Sequence, residues 1–194
     1  MDHRLVAWGR AVKSRNRRGG LPPLWLFTDA VRLADPCGAV ARLPRGLCGV
    51  VFRDDGRADR AGLGRRLAAI CRERRLMLVV AGDWRLAAAL GAGLHLRGGR
   101  RLPGASRRVR AVTSSAHDGG DVRRAMREGV SLVFLSPVFA TASHPGAAGL
   151  GVIRWAGLAK GRVAVAALGG IDGVSVRRLP WRLCCGAGAI GALA

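Results

Sequence analysis

His117 directly follows Ser114-Ser115-Ala116, a few residues past an apolar run. An imidazole titrates near neutrality, so in that position it can move a proton to or from a bound molecule. The plainer reading is a surface or structural histidine. His95 ends another apolar run and admits the same two readings. Two glycine groups, Gly169-Gly170 and Gly186 with Gly188, come late in the chain. Lacking a Cβ, such residues can turn backbone N–H groups toward a phosphate and let its oxygens come close. Thr141 and Ser143 would add hydroxyl donors, whereas Gly169-Gly170 alone would also serve as an ordinary strand-to-helix turn. Asp83 and the pair Asp54-Asp55 are the carboxylates placed to hold Mg²⁺. One or two carboxylates plus substrate phosphate oxygens suffice for that ion. The alternatives are a helix cap at Asp83 and a solvated loop at the pair.

These groups meet only if the elements before them deliver them to one place. Eight apolar runs cover 24–28, 47–52, 76–81, 93–96, 109–113, 130–135, 163–168 and 183–190. Nearly continuous Val, Leu, Ile and Ala suits strands buried on both faces, which are parallel strands. Between them lie helical patterns. In 57–74, Leu63, Leu67 and Ile70 recur at helical steps opposite Arg65, Arg66, Arg72 and Glu73. Asp83 is placed to cap a helix containing Leu86 and Leu90, and Asp118 or Asp121 to cap one containing Val122, Ala125 and Met126. Val152, Trp155 and Leu158 mark the inner side of another. The linkers after the fourth and seventh runs are short and basic, so those helices reduce to turns.

Alternating strands and helices admit a closed barrel or an open doubly wound sheet. An open dinucleotide-binding sheet would want a G-x-G-x-x-G turn after its first strand, where this chain has Thr28-Asp29-Ala30. Glycine turns near the last two strands match the phosphate site of a barrel instead. The expected architecture is α/β, a compact (β/α)₈ TIM barrel over 21–194 with some helices shortened. A basic flexible tail over 1–20, ending in Gly19-Gly20, is expected before it. Each strand then brings its last polar residues to one mouth: Arg53, Asp83, Arg97, Ser115, His117, Ser136 and the loop carrying Thr141, Ser143 and His144.

With 194 residues the chain has room for one well-buried core. Its net charge of +21 invites a nucleic-acid reading, but every basic residue except Lys13 and Lys160 is arginine. The arginines are spread over all segments beside many Ala and Gly, as a codon-composition bias would leave them. No stacking platform or zinc knuckle accompanies them, so nucleic acid is not the expected partner. Five cysteines without C-x-x-C spacing argue against a disulfide framework or a structural zinc. No apolar run approaches the roughly 18 residues of a membrane span, and the basic N-terminus lacks a secretory apolar stretch. No membrane association and a cytoplasmic location are the expectation, and an oligomer is compatible with all of this.

Over roughly 22–194 the chain resembles the thiamine phosphate synthase and TenI superfamily. Leu135-Ser136-Pro137-Val138-Phe139-Ala140-Thr141-Ala142-Ser143-His144 is similar to that family's Gly-Pro-Ile-Phe-x-Thr-x-Thr-Lys loop after strand six. Leu26-Phe27-Thr28-Asp29, Gly93-Leu94-His95-Leu96, Ser115-Ala116-His117, Ala167-Leu168-Gly169-Gly170-Ile171 and the final glycine-rich strand match in order. The resemblance implies a barrel mouth for a phosphorylated thiazole and an aminopyrimidine diphosphate. Diphosphate would leave with Mg²⁺ assistance and the thiazole nitrogen would capture the pyrimidine cation, a transferase reaction of thiamine biosynthesis. It places Thr141, Ser143, Gly169, Gly170, Gly186 and Gly188 on the thiazole phosphate. Arg53, Arg97, Ser115 and His144 fall to the diphosphate side, with Asp83 as metal ligand and His117 and Arg53 as catalytic residues.

The sequence departs from the family on the diphosphate side. The family's Gln-Leu-Arg-x-Lys segment corresponds to Val51-Phe52-Arg53-Asp54-Asp55, which keeps only the arginine. Its Asn-Asp pair is Gly82-Asp83, Arg100 stands near its second metal-binding acid, and His144 stands for its loop lysine. Arg97, Arg100 and Arg101 could neutralise a diphosphate directly in place of metal. Besides the synthase reading stand a TenI-type thiazole tautomerase using His117, a non-catalytic phosphate-ligand-binding protein, and an arginine-driven nucleic-acid binder.

Overall fold

The computed structural model describes residues 1–15, 20–100, 111–141, 146, 148–161 and 163–194. Its eight strands are β1 (Leu24–Phe27), β2 (Cys48–Phe52), β3 (Met77–Ala81), β4 (Gly93–Leu96), β5 (Val112–Ala116), β6 (Leu132–Leu135), β7 (Ala164–Leu168) and β8 (Gly186–Ala189). Each pairs in parallel with the next and β8 closes on β1, so the sheet is the expected closed barrel. The helices are α1 (His3–Arg15), α2 (Pro36–Arg42), α3 (Arg60–Glu73), α4 (Trp84–Ala89), α5 (Gly119–Arg127) and α6 (Gly151–Ala159). After β7 only a 3₁₀ turn, Ser175–Arg178, takes the helix position, as the short basic linker implied.

Alternation along the strands makes two cores. Trp25, Phe27, Val51, Val79, Ala81, Leu132, Phe134 and Ala166 point into the barrel. Their aromatic rings meet edge to face, Phe27 to Phe134 at 4.9 Å and Trp25 to Phe134 at 5.4 Å. That is the arrangement ring quadrupoles favour. Leu26, Val50, Phe52, Val80, Val133 and Ala167 point outward and meet the buried faces of the helices. Gly49 is needed inside, because a Cβ there would lie 2.4 Å from the Trp25 ring.

The expected flexible tail is corrected. Residues 3–15 are helix α1, with Leu5, Val6, Gly9 and Val12 buried. Gly9 lets the helix seat on β1, since a Cβ would lie 2.6 Å from the Leu24 side chain. Asp2 anchors its start, accepting from Arg4 N at 2.8 Å and from Gly173 N at 2.7 Å. Its backbone N–H donates to Ala192 O. The helix thus covers the wall at β1 and β8, next to the 3₁₀ turn Gly191–Leu193 that follows β8. Its charge density masked an apolar stripe of helical spacing.

Two strand bounds are corrected as well. β5 runs over 112–116 rather than 109–113, because it carries three hydroxyl residues in a row. A criterion of apolar continuity passes over such a strand. It is tolerated because Thr113 Oγ1 lies 2.9 Å from His95 Nδ1, while Ser114 Oγ accepts from Gly99 N and Ser115 Oγ from Gly98 N. β8 begins at Gly186 rather than at 183, since Leu183 N and Cys184 N bond back to Pro180 O in a turn. Helix α2, which the apolar pattern did not mark, starts on an Asp35 cap with Pro36 in its first turn.

Candidate active site

The carboxyl ends of β1 to β4 carry a web of arginines and aspartates. Arg53 leaves β2 with its backbone N–H donating to Thr28 Oγ1 at 2.9 Å and its guanidinium donating to Asp29 Oδ2 at 2.8 Å. Asp29 also accepts from the Val31 and Arg32 N–H groups and pairs with the Arg32 guanidinium at 2.8 Å. The Arg32 hydrogen bond outweighs partial burial and holds the Asp29 carboxyl far below the usual carboxylate range. Arg97, just past β4, pairs with Asp55.

Arg60 ties this side together and was not foreseen from sequence. As the first residue of α3 it donates to Ala81 O at 2.7 Å. Its guanidinium also reaches Asp83 Oδ2 at 3.3 Å and Asp55 Oδ1 at 3.2 Å, over the face of Phe52. The only sequence signal was an arginine one position after a helix-capping aspartate, Asp59, which α3 shares with many exposed positions.

Asp83 is the expected helix cap, its Oδ1 accepting from Leu86 N at 2.9 Å. With Oδ2 facing Arg60, both oxygens are engaged. Asp55 lies between Arg60 and Arg97. Among the described residues no group of three or more His, Cys, Asp or Glu side chains is arranged to hold a metal ion. Mg²⁺ would have to displace a guanidinium and a helix cap to reach Asp83, so the donor set as placed does not fit that ion.

The floor of the mouth is His95. Its side chain is 2% exposed, lies edge to face with Phe27 at 5.8 Å, and contacts Thr113 Oγ1. Burial, helped by the nearby Arg53 and Arg97 charges, pushes its pKa down to about 3. It is therefore a neutral wall of the pocket at ordinary pH. On the next strand, Ser115 uses its hydroxyl to accept from Gly98 N, which shapes the turn after β4.

His117 lies one residue past β5 and is exposed. Its Nδ1 donates to Ser136 O at 3.0 Å, and its backbone N–H donates to Asp121 Oδ2 at 2.9 Å. A carbonyl can only accept, so Nδ1 carries the proton and the neutral ring keeps its lone pair on Nε2. From Ser136 the chain continues through a cis peptide to Pro137 and runs beside β7. Val138 N donates to Leu168 O at 2.9 Å and Phe139 N to Gly169 O at 3.2 Å. Gly169 and Gly170 have φ of 92° and 64°. A Cβ at Gly169 would lie 2.7 Å from Pro137 Cα, and one at Gly170 would lie 2.5 Å from Ala140 O. These glycines let residues 137–140 press onto the turn after β7. Ser143 and His144 lie outside the described residues.

The two remaining glycine expectations are corrected in place. Gly186 opens β8, and a Cβ on it would lie 2.8 Å from Pro23 O, so it sits at the amino end of the barrel, away from the mouth. Gly188 is inside β8 rather than in a turn, and makes room for the Phe27 ring, 2.8 Å from where its Cβ would be. The turn that follows β8 begins at Gly191. A run of alternating Gly and Ala reads equally as strand or turn, which is why the boundary was displaced. A cavity of about 890 Å³ also lies at the amino end, beside Lys13, Arg72, Leu76 and Met77. Barrel chemistry sits at the other end, and none of the residues above lines that cavity.

The closed barrel therefore gathers Arg53, Arg60, Asp83, Arg97 and His95 on the β1–β4 half of one mouth. Ser115, His117, Ser136, Gly169 and Gly170 stand on the other half.

Comparison with known proteins agrees with this geometry. The profile of a family described as thiamine monophosphate synthase matches residues 36–190. The thiamine-phosphate synthase of Thermus thermophilus is 38% identical over 115 residues, a stretch covering 57% of this chain and 56% of that protein. The chain thus matches little more than half the length of that relative. Among solved structures, a thiamine phosphate pyrophosphorylase from Pyrococcus furiosus superposes with a TM-score of 0.71 at 20% identity, covering 91% of this chain and 89% of the other. One from Bacteroides thetaiotaomicron gives 0.51 at 17% identity, covering 89% and 84%. At those identities the superpositions speak for the barrel alone. With its profile spanning most of the barrel, the chain belongs to the thiamine monophosphate synthase family.

Proposed function

We propose that this protein couples an aminopyrimidine diphosphate to a thiazole phosphate and releases diphosphate. In that reaction the bond between the pyrimidine methylene carbon and diphosphate oxygen breaks, its electron pair leaving with diphosphate. The thiazole nitrogen lone pair then forms the new carbon–nitrogen bond. The observation that carries the reading is the gathering of Arg53, Arg60 and Arg97 at the ends of β2 to β4. Positive charge fixed where negative charge grows on a leaving group is what such a step requires. An isomerase acting on a phosphorylated thiazole would have no use for it.

Arg53 and Arg97 are assigned to the diphosphate, with Ser115 and His144 as further ligands. The thiazole phosphate is assigned to the turn at Gly169 and Gly170, with Thr141 and Ser143 as hydroxyl donors. Gly191, opening the turn after β8, replaces Gly186 and Gly188 in that role, and Gly188 remains as the wall that leaves room for Phe27.

A second reading has one specific observation behind it. The tether from His117 Nδ1 to Ser136 O presents Nε2 as a base, which a TenI-type thiazole tautomerase would use. Purified protein given both substrates decides between them. Diphosphate release with formation of the coupled product is expected. No release, with interconversion of thiazole isomers, would replace the synthase by the tautomerase. Ligand binding without turnover would leave a non-catalytic binding protein.

A further inference from the structure

We infer that arginine takes the place of the divalent cation in this mouth: Arg60 occupies the position between Asp55 and Asp83, and Arg53 and Arg97 receive the diphosphate without metal. The inference rests on the coupling reaction proposed above, and is carried by the pairing of the carboxylates. Asp83 has one oxygen on the Leu86 N–H and the other on Arg60. Asp55 has one oxygen on Arg60 and the other on Arg97. Asp29 is held by Arg32 and Arg53. Asp54, expected in a solvated loop, is instead 1% exposed, with Arg57 Nε 3.5 Å from its Oδ2 and no hydrogen bond to either carboxylate oxygen, so it is enclosed beneath the mouth rather than open to an ion. Among the described residues, Asp29, Asp55 and Asp83 on the β1–β4 half are thus each paired with arginine.

The three arginines differ in exposure in a way that assigns their roles. The Arg60 side chain is 16% exposed, against 37% for Arg53 and 57% for Arg97. Arg60 donates inward, to Ala81 O and to two carboxylates, so its charge is spent on holding Asp55 and Asp83 in place. It is a positioning residue. Arg53 and Arg97 each commit one nitrogen to an aspartate, and a guanidinium has five donors in a planar fork. Their open edges suit the paired oxygens of a diphosphate, which guanidinium groups bind in bidentate fashion. Across these pairs four guanidiniums meet three carboxylates, so the half-site is net positive before Arg100 is added. A divalent cation brought to this web would meet arginine charge on each side.

The test uses inorganic diphosphate as probe and the full chain. Binding is measured by calorimetry in EDTA and again in millimolar Mg²⁺. Affinities within about threefold of each other are expected, with Arg97→Ala and Arg53→Ala each weakening binding by ten- to a hundredfold, the usual range for a lost charge-assisted bond. Arg60→Gln is expected to weaken binding in EDTA and to recover part of it on adding Mg²⁺, because one oxygen of Asp55 and one of Asp83 then lose their guanidinium and can take the ion. The wild-type comparison stands even if that variant does not fold. Binding, or coupling turnover, that needs Mg²⁺ in the wild type overturns this inference and leaves the coupling reaction standing. Failure to bind diphosphate in either condition, with thiazole isomerisation present, overturns the coupling reading and this inference with it.

Discussion

His117 and Ser136 join the ends of two neighbouring strands: the Nδ1–H of the imidazole donates to the Ser136 carbonyl at 3.0 Å. β5 and β6 therefore leave the barrel locked together at the point where the loop to Thr141 begins. The contact also selects the tautomer with its lone pair on Nε2, so one bond both sets the loop's origin and prepares a base. His117→Ala separates these roles. A proton-transfer role predicts that thiazole-isomer interconversion falls by about 10²- to 10⁴-fold. A purely positional role predicts a raised KM for the phosphorylated thiazole with diphosphate release largely kept. Steady-state kinetics with each substrate varied would tell them apart.

Gly170→Ala should move that loop. The position has φ of 64°, and the added Cβ would fall 2.5 Å from Ala140 O, a backbone atom that cannot swing aside. The strain and clash together should cost about 1–3 kcal/mol. A lower urea midpoint is expected, with a higher KM for the thiazole phosphate and little change in diphosphate affinity. An unchanged KM would remove the turn after β7 from the phosphate site.

His95 gives the fold a pH dependence of its own. Its pKa falls from 6.5 to about 3 on folding, because burial disfavours the charged ring and Arg53 and Arg97 oppose it. The unfolded chain therefore takes up a proton below pH 6.5 that the folded chain refuses. Stability drops as pH falls from 6.5 toward 3, with a limiting slope of about 1.4 kcal/mol per pH unit. Asp29, Asp2, Asp118 and Asp172 have lowered values and lose their contribution at more acid pH, below the carboxylate range. His95→Phe should flatten the urea midpoint between pH 6.5 and 4.5, at the cost of the Thr113 contact. A slope that survives the substitution would place the titration elsewhere.

Deletion of residues 1–15 should damage the barrel rather than leave it untouched. Leu5, Val6 and Val12 are buried, and Leu24 loses its cover when the helix goes. Burial of one such aliphatic side chain contributes about 1.5–3 kcal/mol, so a loss of at least about 2 kcal/mol is expected after the ordering cost of the helix. Gly9→Leu gives a milder version, since the side chain must enter space that Leu24 fills. Urea unfolding measures both, and a deletion with an unchanged midpoint would make α1 an ornament.

The sequence by itself determined the ring of strands. Buried parallel strands need near-continuous apolar residues, and that local requirement is visible in Val50-Val51-Phe52, Leu78-Val79-Val80 and Val133-Phe134-Leu135. It offered Asp83 as a cap, and Asp118 or Asp121 for the next helix, because a cap acts within its own turn; the structure uses Asp83 and Asp118. Gly169-Gly170 was legible because a backbone that must turn left-handed restricts the residue type, and the Ser-Pro loop was legible through its resemblance to the family's loop. Other features belong to pairs far apart in the chain, so only the tertiary structure decided them. Strand β5 is polar because its hydroxyls answer groups on β4 and the turn after it. Helix α1 is a helix with a purpose because Gly9 meets Leu24. Arg60 matters because the barrel brings Asp55 and Asp83 to either side of it. A charged side chain carries no mark in sequence of what it will face, and in this mouth it is the facing residue that decides whether a carboxylate holds a metal or an arginine.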